Sequence, residues 1–233
     1  MSISKIIRAP VQEIFASVQG EGLLVGIPMI FVRLNECNLK CNYCDTPTLH
    51  SAKQYTAEQT LNTVRKLATK TKSKWISITG GEPLLHPGFV LATASKLKQE
   101  KYSLYLETNG TLPDELSKIE HCFDYFSIDI KLPADCGGKE WWRESAECLR
   151  IAGKRAFSKI VITPSTPFIE IQKAIETAVS VLPKITIILQ PASSPDMPAA
   201  VSSSRLKKIL KYALNIHTNV RMIPQMHRIL GWK

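Results

Sequence analysis

Short apolar segments alternate with amphipathic segments of helical length along most of this 233-residue chain. The segments that resemble strands lie near residues 11–15, 29–34, 75–79, 102–107, 125–130, 157–163, 185–190 and 220–223. Strands joined by crossovers of helical length favour a parallel sheet, because each right-handed crossover lays its helix on that sheet. We therefore expect an α/β fold, a partial and incomplete parallel β/α barrel of about six strands, with a doubly wound open sheet as the alternative.

The alternation also indicates a single domain over residues 1–233. No Gly/Ser-rich linker, low-complexity tract or solenoid-type repeat interrupts it. Thr56 and Gln59 form a T-x-x-Q capping box ahead of apolar residues at helical spacing, and a second helix is predicted over residues 87–100.

The sequence lacks the apolar run that a membrane span requires. Its first residues do not form a long apolar stretch, and nowhere do about eighteen uncharged apolar residues stand together. We recognise no targeting signal in the sequence that would direct the chain to an oxidising compartment, where disulfides persist. We therefore expect a cytoplasmic protein without a membrane partner.

Three of the six cysteines stand close together after segment 29–34, in a stretch that we call the cysteine loop (residues 35–46). Cys37, Cys41 and Cys44 have C-x3-C-x2-C spacing, and no fourth cysteine follows at a matching distance. A closed zinc site or an ordinary four-cysteine cluster needs a fourth protein ligand. The spacing therefore indicates a metal or iron–sulfur centre with one open position, where a small chelating molecule can bind.

The other cysteines and the histidines show no comparable pattern. Cys122, Cys136 and Cys148 follow no ligand spacing, so we interpret them as small buried or semi-exposed thiols rather than as a second metal site. Most of the histidines are interpreted as surface or turn residues.

The formal net charge of +10 is diffuse. Its densest stretches, residues 65–74 and 205–211, fall at the ends or outer faces of predicted helices, where charge is usually solvated. No interleaved aromatic residues accompany them, so no direct contact with nucleic acid is expected. Basic surface near the cysteine loop, including Lys40, would instead attract an acidic electron-transfer protein of the flavodoxin or ferredoxin type.

Polar residues collect at the carboxyl ends of the predicted strands. They are Arg33, residues 79–82, residues 107–109, Asp129 with Lys131, and Gln190. In parallel α/β barrels the loops at this edge converge, and the active site lies among them. The turn Gly80-Gly81-Glu82-Pro83 adds unobstructed backbone groups and a carboxylate suited to an ammonium group, although a bare turn of this type often only joins a strand to a helix.

Together, Cys37-x3-Cys41-x2-Cys44 and Gly80-Gly81-Glu82-Pro83 resemble the motifs of the radical S-adenosylmethionine (SAM) superfamily. The resemblance implies that the three cysteines hold a [4Fe–4S] cluster and that the amine and carboxylate of SAM chelate its fourth iron. Reduction would then cleave SAM to a 5′-deoxyadenosyl radical that takes a hydrogen atom from substrate. The residues that it implies around the cofactor are Tyr43, Cys44, Asp45, Gly81, Glu82, Asp129, Ile130, Lys131 and Gln190.

Within that superfamily the chain resembles the 7-carboxy-7-deazaguanine synthase family, which contracts the ring of 6-carboxy-5,6,7,8-tetrahydropterin with loss of ammonia, in queuosine and deazapurine biosynthesis. The similar segments are residues 13–15 with 19–22, 44–46, 107–111 and 225–228. The resemblance implies magnesium on Thr46, where this cation would keep several waters and lean on the substrate carboxylate. It implies substrate contacts from Val18, Gln19, Gly20, Arg33 and Thr79.

Two other functions remain open at this level. A glycyl-radical-enzyme activase shares the cluster and the barrel, but it must leave the barrel mouth open to a large protein. A zinc-stabilised nucleic-acid-binding module could use the three cysteines with His50 as fourth ligand. Residues 19–22 and 225–233 instead suit closure over a small molecule, which favours the synthase. Separately, we expect the protein to be a homodimer.

Overall fold

One sheet organises the computed structural model, which describes residues 7–46, 52–193 and 201–232. The strands in these residues are β1 (Arg8–Val18), β2 (Pro28–Leu34), β3 (Lys53–Thr56), β4 (Trp75–Gly80), β5 (Ser103–Thr108), β6 (Tyr125–Asp129), β7 (Ala156–Ile162), β8 (Ile187–Pro191) and β9 (Val220–Met222). Their order across the sheet is β3-β1-β2-β4-β5-β6-β7-β8-β9.

The sheet is largely parallel and open. Strand β2 and strands β4 to β9 run parallel to one another, whereas β1 pairs antiparallel with both β2 and β3. The predicted α/β fold with a parallel sheet is confirmed. Its two edge strands, β3 and β9, do not pair with each other, so the barrel is not closed. The expected count of about six strands was too low: seven of the nine described strands are parallel, and the edge strand β3 was not among the predicted segments.

Strand β1 is longer than the predicted segment 11–15. Its first residues pair with β3 and its later residues pair with β2. The register shifts between Val11 and Glu13, where polar residues interrupt the apolar alternation. The predicted segment contains this irregularity and omits residues 8–10 and 16–18 of the strand.

The helices follow the strands in the predicted alternation. They are α1 (Ala57–Thr71), α2 (Pro87–Gln99), α3 (Pro113–Ile119), α4 (Trp142–Ala152), α5 (Phe168–Val181), α6 (Ser203–Ile216) and α7 (Met226–Ile229). The capping box before α1 is present: the Gln59 backbone N–H donates to Thr56 Oγ1 over 3.2 Å, and the Thr56 N–H donates to Gln59 Oε1 over 2.9 Å. None of the described helices is both long and apolar enough to cross a membrane.

The two faces of the sheet differ, and this difference positions the site. On one face, alternate strand residues such as Ile30, Ile78 and Leu106 pack with the helices in the main core. The opposite face carries a smaller apolar cluster that includes Met29, Phe31, Tyr105, Phe157 and Ile188. Because side chains alternate along a strand, the residues two positions further along these strands lie on the same face, closer to the carboxyl ends.

Candidate active site

A cavity of about 370 Å³ opens on the second face of the sheet, at the carboxyl ends of the parallel strands. Sequence-predicted residues that line it are Val18, Gln19, Gly20, Arg33, Cys37, Cys41, Tyr43, Cys44, Asp45, Thr46, Thr79, Gly81, Asp129, Lys131 and Gln190. Glu82 and Ile130 lie outside this lining, and His50 lies outside the described residues. Apart from Glu82 and Ile130, the residues predicted to bind cluster, SAM and substrate line one cavity.

The three cysteines of the cysteine loop border this cavity, and each thiol has its own neighbour. Cys37 Sγ accepts the Leu39 N–H over 3.4 Å, and Cys44 Sγ lies 3.5 Å from the Thr46 carbonyl oxygen. Among the described residues, no three His, Cys, Asp or Glu side chains are gathered closely enough to hold a metal ion. The thiols share a wall of the cavity but do not converge on one point.

Cys41 lies against Cys136, with 2.9 Å between the two sulfur atoms. Cys136 is 4% exposed, as expected for a buried thiol, but its position beside the cysteine loop was not predicted. Hydrogen bonding to Cys136 stabilises the thiolate and lowers the pKa of Cys41 to about 7.

The donor set and the adjacent glycine turn fit a three-thiolate iron–sulfur cluster. Gly81 N–H donates to Leu34 O over 3.0 Å, and Glu82 N–H donates to Glu36 O over 2.6 Å, so the turn lies directly against the start of the cysteine loop. A Cβ on Gly81 would lie 2.0 Å from Glu36 O. Only glycine permits this approach, which brings the backbone of the turn against the backbone of the cysteine loop.

The Glu82 carboxylate is fully buried and organises the same turn. Its oxygens accept hydrogen bonds from Leu84 N–H (2.9 Å), Thr108 Oγ1 (2.8 Å) and Asn109 N–H (2.7 Å). Burial raises the pKa of Glu82 to about 7. These contacts tie the glycine turn to the end of β5, while contact of this carboxylate with the SAM amine remains a prediction.

A chain of alternating charges crosses the cavity. Lys159 Nζ lies 2.7 Å from Glu21 Oε2 and 3.4 Å from Asp129 Oδ2, and Lys131 Nζ lies 2.8 Å from the same Asp129 oxygen. Lys131 Nζ also lies 3.3 Å from the Tyr43 hydroxyl. Burial opposes the charge of Lys131, but the Asp129 carboxylate outweighs it and raises the pKa of Lys131, which stays cationic.

Two buried oxygen atoms in the lining have no hydrogen-bond partner among the described residues. They are Asp129 Oδ1 and Gln190 Oε1. A buried acceptor without a partner is costly, and these two would be satisfied by donors of a bound molecule.

A second group of polar contacts involves side chains of β2, β4 and β5. Arg33 Nη1 lies 2.9 Å from Glu13 Oε1 on the neighbouring strand, and its guanidinium lies over the Phe15 ring at 5.1 Å. Glu107 Oε1 accepts from Ser77 Oγ (2.8 Å) and Gln19 Nε2 (3.1 Å). Burial raises the pKa of Glu107. These side chains provide a cation, an acid and an amide at one end of the cavity.

The C-terminal segment 224–232 lies beside the cavity entrance. Gln225 Nε2 donates to Glu21 Oε1 over 2.7 Å and to Asp45 Oδ2 over 3.2 Å, and Arg228 Nη2 lies 3.0 Å from the same Asp45 oxygen. Met226 N–H donates to Gly20 O over 2.9 Å. The segment thereby connects the 19–22 loop to the cysteine loop.

The lining residues that were absent from the predicted site include the titratable side chains of Glu21, Glu107, Lys159 and His227. Lys159 had the clearest signal, since it is a charged residue inside an otherwise apolar strand segment. Glu107 and His227 stood in segments already noted for their resemblance. The contacts among these residues join positions far apart in sequence, so spacing alone could not assign them a role.

Comparison with known proteins identifies the family. Residues 31–192 match the model of the Radical SAM superfamily. The 7-carboxy-7-deazaguanine synthase of Geobacter sulfurreducens is 35% identical, with 96% of this chain and 97% of that protein covered. The Methanothermobacter thermautotrophicus protein of the same name is also 35% identical, with 97% and 98% covered.

The fold agrees with this comparison. The crystal structure of QueE from Escherichia coli superimposes with a TM-score of 0.65 at 21% identity, covering 94% of this chain and 95% of that one. Similarity at this identity concerns the fold, while the two synthases establish the closer relationship. The chain therefore belongs to the radical SAM superfamily and, within it, to the 7-carboxy-7-deazaguanine synthase family.

Proposed function

We propose that this protein is a radical SAM carbon–nitrogen lyase that converts 6-carboxy-5,6,7,8-tetrahydropterin to 7-carboxy-7-deazaguanine with loss of ammonia. The observation that carries the proposal is the single cavity whose wall includes the three cysteines, the glycine turn and the buried charges of the sheet. The synthases to which the chain is similar over nearly its whole length support the same reaction. We assign all of these residues to one domain.

Cys37, Cys41 and Cys44 would hold a [4Fe–4S] cluster, and Gly81 would present its backbone to SAM. When bound, the reduced cluster and SAM supply a radical that can take a hydrogen atom from the substrate. Asp129 Oδ1 and Gln190 Oε1 have no hydrogen-bond partner among the described residues, so they could accept hydrogen bonds from hydroxyl or amine groups of SAM. Tyr43, Asp45, Glu82, Ile130 and Lys131 would complete the surroundings of the cofactor by contact or by support.

The substrate would lie further along the sheet. Arg33 has N–H donors beyond the one that contacts Glu13, and its fork matches the substrate carboxylate. The pterin ring carries N–H donors and acceptors that Gln19 and Glu107 can bind. Val18, Gly20 and Thr79 would line the same end, and the C-terminal segment would exclude water during radical chemistry.

Magnesium would bind at Thr46, beside the entrance. Thr46 Oγ1 lies 3.3 Å from Asp45 Oδ1 in the cysteine loop. One hydroxyl is a weak ligand, so the cation would keep several waters and take the substrate carboxylate as a further ligand. Appreciable binding of magnesium would therefore require the substrate.

The partners and setting follow from the same assignment. We propose an acidic flavodoxin or ferredoxin as reductant, approaching the basic surface near Lys40, and a homodimer acting in the cytoplasm. Its product would feed queuosine or another deazapurine route, and through queuosine the modification of transfer RNA. The comparisons favour neither a glycyl-radical-enzyme activase nor a zinc-dependent nucleic-acid module.

The reaction itself tests the proposal. The full chain, with its cluster reconstituted and reduced under anaerobic conditions, is supplied with SAM, magnesium and the carboxytetrahydropterin. We expect the ultraviolet spectrum and mass of 7-carboxy-7-deazaguanine to appear while SAM is not consumed in proportion. A complete, reduced cluster that yields no deazaguanine would contradict the proposal.

A further inference from the structure

Cys136 is the unexpected neighbour of the cluster-binding residues. Its sulfur lies 2.9 Å from Cys41 Sγ, whereas Cys37 and Cys44 contact backbone groups of their own loop. All six cysteines are reduced in the structure. A disulfide bond is about 2.05 Å long, so the two sulfurs need to approach by less than about 1 Å to become bonded.

The residues next to the two cysteines in sequence hold the two loops together. Asn42, next to Cys41, donates its N–H to the Asp135 carbonyl oxygen over 3.0 Å and its side-chain Nδ2 to Asp135 Oδ1 over 3.0 Å. Asp135 is the residue that precedes Cys136. Two hydrogen bonds between the chain neighbours of the cysteines thus fix the distance between the loops that carry them.

Asp135 is itself firmly positioned. It is 2% exposed, and its carboxylate accepts hydrogen bonds from Thr163 Oγ1 (3.0 Å) and Thr166 Oγ1 (2.8 Å), which follow β7. The turn that carries Cys136 is therefore anchored to the sheet. The fold therefore holds the chain segments that carry Cys41 and Cys136 side by side.

We propose that Cys41 and Cys136 form a reversible disulfide in the protein before its cluster is assembled, and that this bond controls cluster assembly. The oxidant is a low-molecular-weight disulfide such as oxidised glutathione. The Cys41 thiolate attacks one of its sulfurs and releases one thiol. The Cys136 thiolate then attacks Cys41 Sγ, forms the Cys41–Cys136 bond and releases the second thiol. Two protein thiols lose two electrons and two protons in total, and the small disulfide gains them.

The exposure of the two residues sets this order of attack. Cys41 is partly exposed and lines the cavity, whereas Cys136 is buried behind it. An accessible thiol meets the small disulfide first, and a buried partner within contact distance resolves the adduct. A resolving cysteine also protects the first thiol from irreversible oxidation to sulfinic acid.

The consequence for assembly rests on the proposed role of Cys41 as a cluster ligand. With Cys41 bonded to Cys136, the cysteine loop offers two thiolates instead of three, so the cluster cannot be held. Reduction would restore the third ligand. A cytoplasmic protein uses disulfides mainly in this transient, redox-sensing way.

The test uses the full chain after anaerobic removal of its cluster, incubated with oxidised glutathione. We expect the intact mass to fall by two hydrogen atoms, and a non-reducing digest to contain one peptide pair linked through Cys41 and Cys136. Iron uptake should then be at least about tenfold slower than in the reduced chain, and dithiothreitol should restore it. The cluster-loaded protein should form the linked pair at least about tenfold more slowly.

Two variants complete the design. Cys136→Ser should retain glutathione on Cys41 and form no bond from Cys41 to position 136. Cys122→Ser removes another buried thiol, which precedes β6 whereas Cys136 follows it, and should behave like the unmodified chain. A bond between two cysteines of the loop, or equal glutathione adducts with and without Cys136, would overturn the proposal. So would normal iron uptake by the oxidised chain. Failure of the reduced chain to take up iron, with the linked pair still formed, would instead count against the cluster itself.

Discussion

Glu21 and Lys159 form a largely buried ion pair at the cavity, with 2.7 Å between Oε2 and Nζ. Glu21 belongs to the loop after β1, and Lys159 lies in β7 on the opposite half of the sheet. Glu21 Oε1 also accepts the Gln225 side-chain N–H. One carboxylate therefore connects the 19–22 loop, the sheet and the C-terminal segment, and its charge state should affect both stability and closure of the site.

The free energy of unfolding should depend on pH through the Glu21–Lys159 ion pair. Burial alone would raise the pKa of Glu21, but Lys159 outweighs it and lowers the pKa from 4.5 to about 2. Because the pKa of Glu21 is lower in the folded protein, its ionised carboxylate stabilises the fold at pH values above 4.5. This contribution is lost as the pH falls toward about 2. We expect Glu21→Gln to lower the free energy of unfolding by about 3 kcal/mol at neutral pH.

The difference between Glu21→Gln and the unmodified chain should shrink by about half between about pH 5 and pH 3, as measured by urea unfolding at each pH. Glu58→Gln is the matched control. Its carboxylate pairs with Lys96 at 2.8 Å on the exposed surface, where an ion pair contributes little. A Glu21→Gln effect that does not vary with pH would contradict the account.

Arg33 provides the prediction for substrate binding. Arg33→Ala should weaken binding of the carboxytetrahydropterin by about 10- to 100-fold, because a charge-assisted pair with the carboxylate is lost. Iron content and SAM affinity should not change. Calorimetric titration of the loaded protein with substrate measures the first quantity, and Arg33→Lys should recover part of it through charge without the bidentate fork.

Arg33 also pairs with Glu13 on β1, so the Arg33→Ala effect needs a control. Glu13→Gln removes the charge of that neighbour and retains the arginine. It should leave substrate affinity within about threefold of the original. If Glu13→Gln and Arg33→Ala weaken binding equally, Arg33 acts by supporting the strand pair rather than by binding the carboxylate.

The close contact at Gly81 predicts a purely steric effect. Its φ lies outside the left-handed region, yet a Cβ would lie 2.0 Å from Glu36 O, a backbone atom of the cysteine loop. Gly81→Ala should lower the free energy of unfolding by about 2–4 kcal/mol and reduce iron retention. Gly88→Ala, at the start of α2, would meet only the Ile7 side chain at 3.5 Å and should cost no stability.

The parts of the site that were predictable are those that local pattern determines. Cys37, Cys41 and Cys44 follow one another within eight residues, and Gly81 directly follows a strand, so spacing and strand ends predicted that they lie near one another, and all four line the cavity. Alternation along the strands explains why Arg33 and Asp129 lie on the same face. The open sheet edge was less predictable, because antiparallel pairing by β1 and β3 depends on long-range register.

The unpredicted parts depend on contacts between distant segments. Cys136 follows Cys41 by 95 positions, and the Asn42–Asp135 hydrogen bonds hold the two chain segments together. Lys159 pairs with Glu21 across 138 positions. Such pairs depend on how the crossovers and loops pack. Neither residue type nor spacing in the sequence predicts that packing.

Thr46 provides the prediction for magnesium. Thr46→Ala should raise the magnesium concentration needed for half-maximal deazaguanine formation by about tenfold, while Thr46→Ser, which retains a hydroxyl ligand, should stay close to the original. Titrating magnesium in the reaction at saturating SAM measures both. Equal magnesium requirements for the alanine variant and the original chain would place the ion elsewhere.

The proposed function requires that three cysteine sulfurs hold a cluster whose fourth iron is open to SAM. Electron paramagnetic resonance of the anaerobically reconstituted and reduced chain, recorded with and without SAM, measures this property most directly. We expect about four irons and four sulfides per chain and a cluster signal that SAM changes, in the original protein and in Cys136→Ser alike. A colourless protein with bound zinc, or a cluster signal that SAM leaves unaltered, would contradict the proposed function.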